Sequence, residues 1–353
     1  MSLTSKTGGA LPSDIASQAE AEAGSNNTNL MTPLRTAEAI AALAGGASIS
    51  LPLRAWVEST GDDGTGTVGD PGKPYLTMLA AYNAGARMMH LGAGTFAGIT
   101  KTGTIDLSYI GQGLDKTTIT TITSTTGGAV SLRDVGFKSA TIATISTVYT
   151  GVEGQAGGAL ALYGVRAGTV TAAGTVGRNG DDTIDMNGGD GGAGGNLTGS
   201  EIEITGDLTT SGGAGGAPYD AAGPSANAGN GASGGSVLVV GSLRVGGNAS
   251  LGGGGAYTGL YGGTDGSPGA GGGVTVDELY VGNTLGMASG GELAYPGSLL
   301  AYRAFITAAD FGGSSTNFAA ISGTLIVIPT ASGSPTTGDL KLSHINGVAI
   351  GTT

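Results

Sequence analysis

The residues of this chain that could do chemistry are carboxylates and aromatics, and both are sparse. Acidic residues stand side by side at Asp62-Asp63, Asp181-Asp182 and Asp277-Glu278. Glycoside hydrolysis needs two carboxyl groups facing each other across a groove; neighbours in an extended strand point to opposite faces, and neighbours in a loop are solvated. The run "GDDGTGTVGD" offers Asp62, Asp63 and Asp70 to a calcium ion, but Gly/Asp runs also form turns without metal, and the turn is the reading adopted. His90 and His344 have no acidic residue or cysteine at ligand spacing and read as structural. The chain has no Gly-x-Ser-x-Gly elbow, no P-loop lysine and no cysteine. The expectation is therefore no catalytic set, no metal and no cofactor.

Binding has a candidate set. Tyr219, Asp220, Tyr257, Tyr261 and Asp265 all fall in glycine-rich insertions. Sugars are commonly held by an aromatic face beside a carboxylate that accepts hydroxyl hydrogen bonds, so these five are the expected receptor-binding residues. In the competing reading the tyrosines pack over glycine-lined gaps.

Composition restricts the partners. Charged residues make up 11% of the 353 positions, 73 residues are glycine, and the formal charge is −12. From Asn179 to Tyr302 the only basic residue is Arg244, against twelve Asp and Glu. A surface of that sign repels phosphate backbones, so nucleic acid and anionic membranes are poor candidates as partners of this half. The sequence contains no 18-residue apolar run and no signal peptide, so membrane insertion and ordinary secretion are not expected.

These residues need a scaffold, and the scaffold repeats. Ile105-x-Leu107, Val130-x-Leu132, Leu160-x-Leu162, Ile202-x-Ile204, Val237-x-Val239 and Val274-x-Val276 share one template, each followed by a further apolar residue: Ile110, Val135, Val165, Leu208, Leu243 and Leu279. Alternation at period two marks a strand with one buried face, and the change of spacing marks a bend. Successive units begin 25, 30, 42, 35 and 37 residues apart. Periods of this size predict an all-β fold, a right-handed parallel β-helix, or solenoid, with a short α-helical N-terminal segment. The glycine blocks at 188–195, 211–220 and 251–263 become turn insertions placed side by side, ordered, and paired backbone to backbone as polyproline-II-like segments. Upstream, a helix from Leu76 to Asn83 carries the apolar stripe Met78, Leu79 and Tyr82 and is expected to plug the open end.

Two stretches resemble known proteins. "VESTGDDGTGTVGDPGKPYLTMLAAYNAGARMMHLGAGTF", residues 57–96, resembles the opening of pectate-lyase-like β-helices in bacteriophage tail fibres and tailspikes. "SDIASQAEAEAGSNNTNLMTPLRTAEAIAAL", residues 13–43, is similar to a helical motif of tail fibre proteins, departing from its common form at Ser25-Asn26 and Asn29. The resemblance implies a virion protein of the phage tail, made in the host cytoplasm and released by lysis. It also implies a homotrimer joined to a tail or baseplate protein through its N-terminal segment and attached to a host surface polysaccharide or lipopolysaccharide. A polysaccharide depolymerase and a head or neck decoration fibre are the alternatives. The expected organisation is a helical attachment and trimerisation segment at 1–47, a β-helix opening with capping helix at 48–150, glycine-rich coils at 151–292, and a C-terminal cap or tip at 293–353.

Overall fold

The computed structural model describes residues 53–149, 153–179, 187–218, 226–256, 264–288 and 297–310, together with the backbone of the strands at 320–327, 330–332 and 336–340. The chain divides into two units, Met1–Leu53 and Arg54–Thr353. The expected helical segment at 1–47 and the end of the chain beyond residue 340 lie outside the described residues.

Alternation in sequence becomes alternation in burial. Ile105–Ile110 and Val130–Asp134 bury every second residue, and the Thr/Ile run Thr117–Ser124 supplies the β-branched side chains that suit a pleated surface. Strand pairing is parallel throughout. One ladder aligns Ile105, Val130, Leu160, Leu197, Val237, Val274 and Leu299. A second aligns Ile119, Ile142, Ala167, Ile204, Val245, Val281 and Ile306. Neighbouring strands in such ladders lie about 4.8 Å apart.

The structure is mostly strand with almost no helix, but the expected right-handed parallel β-helix is corrected. The strands close as a six-strand parallel barrel with further strands outside it. Strand length also changes along the chain. Early passes use short strands such as Gly94–Phe96 and Ile99–Lys101, whereas Val274–Gly286 and Leu299–Asp310 run unbroken across both ladders. The template reads local periodicity correctly and says nothing about how the walls close.

Within this architecture Leu107, Leu132, Leu162, Ile204, Val239 and Val276 are all buried in one continuous apolar core. Two template assignments change. Leu197, not Ile202, aligns with Leu160 and Val237; Ile202 lies past the corner and pairs with Leu243, the register slipping by one residue between Ser200 and Ile202. Val135 is 49% exposed because the chain has already left the strand Val130–Asp134 for a turn.

The helix Met78–Asn83 starts where Thr77 caps it by accepting from Ala80 N. Met78 and Tyr82 are buried and Leu79 is partly so, which keeps the predicted stripe. Asp63 braces this cap by accepting from Leu76 N, Thr77 N and the Thr77 hydroxyl, while Asp62 and Asp70 close turns onto Gly64 N and Gly72 N. The "GDDGTGTVGD" carboxylates are therefore committed to turn and cap bonds.

The glycine-rich segments are hydrogen-bonded to one another at a period of three. Gly188, Gly191 and Gly194 donate to Asn227, Asn230 and Ser233, while Gly189, Gly192 and Gly195 donate to Arg178, Thr175 and Ala172. Gly213 and Gly216 in turn donate to Gly192 and Gly189. A three-residue period of bonds running between segments is the spacing that a helix of three residues per turn would give. Glycine is needed here for approach distance: a Cβ at Gly215 would fall on the carbonyl of Gly229, and one at Gly191 on that of Gly213. Side chains add a ladder on the outside, with Asp190 accepting from Asn230 N, and Asn230 accepting from Ser267 N.

Candidate ligand-binding groove

At the corner between the two ladders the chain must turn sharply while each pass stays in register with the next. Gly164, Glu201 and Gly241 take successive corner positions, with φ of +64°, +52° and +80°. Two of the three are the residue this backbone favours. Glu201 is not, and the left-handed region costs an L-residue about 1–2 kcal/mol. Its carboxylate is used: Glu201 Oε2 accepts from the Ser242 hydroxyl at 2.6 Å, and its other oxygen fills the space a Cβ at Gly241 would need.

Phe137 and Lys138 also have positive φ, at +54° and +55°. Asp134, buried beneath them, holds their turn by accepting from Gly136 N, Ser139 N, the Ser139 hydroxyl and Ala140 N. Burial pushes the Asp134 carboxyl above its ordinary range, while the bonds from Ser139, Ala140 and Gly136 pull it back. Lys138 N donates to Gly164 O at 2.8 Å, tying the turn to the next pass. Among the described residues, the non-glycine positions with positive φ are Phe137, Lys138 and Glu201; Lys138 lines one groove, and Glu201 bonds to Ser242 in its wall. Backbone strain of this kind persists where surrounding structure enforces it, and it collects at binding sites.

The groove has a volume of about 530 Å³ and is lined by Lys138, Ser242, Arg244, Glu278, Tyr280, Arg303 and Phe305 over a floor of Leu243 and Leu279. Parallel register builds it: Arg166, Glu203, Arg244, Tyr280 and Phe305 stand in line on successive strands, all on the outer face. Tyr280 and Phe305 are 42% and 46% exposed. The Arg244 guanidinium lies 5.3 Å from the Tyr280 ring centre. Glu203 is shared by Lys138 and Arg166 at 3.6 and 3.7 Å, and Arg303 pairs with Glu278 at 3.3 Å. Among the described residues no carboxylate pairs with Arg244.

The sequence-predicted site fares differently. Tyr219, Asp220, Tyr257 and Tyr261 lie outside the described residues; Asp265 is exposed and is not part of the groove lining. Asp181 and Asp182 also lie outside the described residues, as does His344. Asp277 and Glu278 are both exposed at a corner where the register shifts; Asp277 accepts from Gly241 N. His90 stacks on Trp56, with ring centres 5.2 Å apart. Among the described residues no acidic, histidine or cysteine cluster could hold a metal ion.

The sequence carried one signal for the groove: Arg244 is the single cation in a long acidic stretch, and the residue after template position Leu279 is an aromatic. No family model, curated protein or solved structure matches the chain. The groove's side chains offer a ring face, cations, a carboxylate and a hydroxyl to one ligand. That combination stacks on the apolar face of a sugar ring and bonds to the groups around its edge.

Proposed function

We propose that this chain is a surface-attachment protein that holds a carbohydrate chain in the corner groove. The observation that carries the reading is the placement of Tyr280 and Phe305 as exposed neighbours on adjacent parallel strands, edged by Ser242, Glu278, Arg244 and Lys138. A rigid ladder suits such a site, since binding then costs little ordering of the protein. The tail-fibre resemblance of residues 13–43 and 57–96 supports the setting: a trimeric virion fibre, anchored through residues 1–47, presenting the groove to host polysaccharide. The resemblance implies this setting and the groove supports the ligand class.

The reading is tested by screening the full chain against an oligosaccharide array beside Tyr280→Ala. Binding to at least one glycan that Tyr280→Ala reduces at least tenfold, at unchanged thermal stability, supports it. Glycan binding that Tyr280→Ala leaves intact contradicts the assignment of the groove. The trimer is tested by mass in native buffer, and the anchor by deleting residues 1–47 and measuring incorporation into virions.

A further inference from the structure

We infer that the ligand of this groove is an anionic sugar, recognised through Arg244; the inference rests on the carbohydrate reading above. Arg244 is the only basic residue between Asn179 and Tyr302 in a chain of charge −12, and register places it in the groove wall beside Tyr280. An isolated cation in so acidic a stretch is not part of a general surface pattern. Its neighbours already have partners: Lys138 and Arg166 share Glu203, and Arg303 is with Glu278. Arg244 contacts the Tyr280 ring instead, which orients the guanidinium without neutralising it. A planar fork held against an aromatic face fits a carboxylate bidentately, with the sugar ring that bears it lying on Tyr280 or Phe305.

Spacing of charge separates this ligand from a nucleic acid. One guanidinium without a carboxylate partner among the described residues, bordered by Glu201, Glu203, Asp277 and Glu278, matches one anion per several sugars. A strand with a phosphate at every unit would meet those carboxylates as well. Lys138, fixed by its left-handed turn at the rim, supplies a second donor for the sugar's hydroxyl or acid oxygens.

The test is titration calorimetry of the full chain with oligogalacturonate, oligosialate, the carboxyl-reduced oligogalacturonate and a single-stranded oligonucleotide, repeated with Arg244→Gln and Tyr280→Ala. The expected result is binding of a uronate or sialate chain that falls about tenfold or more with Arg244→Gln. For a uronate, carboxyl reduction costs the same, and the salt dependence corresponds to about one ion released. If an acidic chain binds equally well to Arg244→Gln, or the carboxyl-reduced chain binds wild type as tightly as the acid, the anion inference is overturned while the carbohydrate reading stands. If no oligosaccharide binds, acidic or neutral, the carbohydrate reading falls with it. Preferential binding of the oligonucleotide overturns both.

Discussion

The guanidinium of Arg244 sits 5.3 Å from the centre of the Tyr280 ring on the next strand of the ladder, and Phe305 follows Tyr280 one strand further on. Cation, ring and ring thus form a line set by backbone register, not by a loop. Replacing Tyr280 or Phe305 by alanine should weaken glycan binding by about tenfold or more, in the range of buried aromatic anchors. Both side chains are half exposed, so stability should change little. Calorimetric affinity measured together with thermal unfolding checks the separation.

The glycine-rich segments make a different prediction. A Cβ at Gly215 would fall on the Gly229 carbonyl, whereas one at Gly286 would meet Ala249 O at 3.9 Å, an ordinary contact. Gly215→Ala should destabilise the protein by about 1–3 kcal/mol, as overpacking does, and Gly286→Ala should be close to neutral. Denaturant unfolding of the two variants compares them directly. Equal stability would mean that the three-residue hydrogen-bond lattice does not hold these segments together.

Trp56 is the only tryptophan, and it stacks on His90 with the rings 15° from parallel. Burial, and then the charge of Arg54, lower the His90 pKa from 6.5. Between that lowered value and 6.5 the unfolded chain binds a proton that the folded chain does not, so this contribution to stability is present above 6.5 and is lost as pH falls through the window. Tryptophan emission should therefore titrate with a midpoint below 6.5, as imidazolium replaces imidazole against the ring. His90→Gln should abolish the transition.

How much of this could be read from sequence depends on the distance over which the information is carried. Leu107, Leu132 and Leu162 announce their burial through period-two alternation, and Met78 with Tyr82 announces the helix face, because both signals span only a few residues. Ile202 departs from the template because it lies past the Glu201 corner, on the part of the strand that pairs with Leu243; period-two alternation looks the same on both sides of a corner, and nothing in a glutamate advertises positive φ. The groove was harder still: Lys138, Arg244, Tyr280 and Phe305 come from different passes of the chain and become neighbours only through register. Tyr219, Tyr257 and Tyr261 stand out in sequence because they are aromatics among glycines. Arg244 is visible in sequence as an isolated charge, but nothing local places it beside Tyr280.

Asp134 anchors the turn that presents Lys138. Asp134→Ala would leave the N–H groups of Gly136, Ser139 and Ala140 without their acceptor and should cost about 1–3 kcal/mol. Burial raises its folded pKa above 3.8, so its contribution favours the folded state most below that value and is lost as pH rises through the raised pKa. Urea unfolding from pH 3.5 to 7 should show this component in wild type and not in Asp134→Asn.

The most direct test of the account is a crystal structure of the full chain with a bound acidic oligosaccharide. The account predicts a sugar ring on Tyr280 or Phe305 with its carboxylate at Arg244 and its hydroxyls toward Ser242, Glu278 or Lys138. Sugar density on the glycine-rich insertions around Asp265, with the corner groove empty, would contradict it.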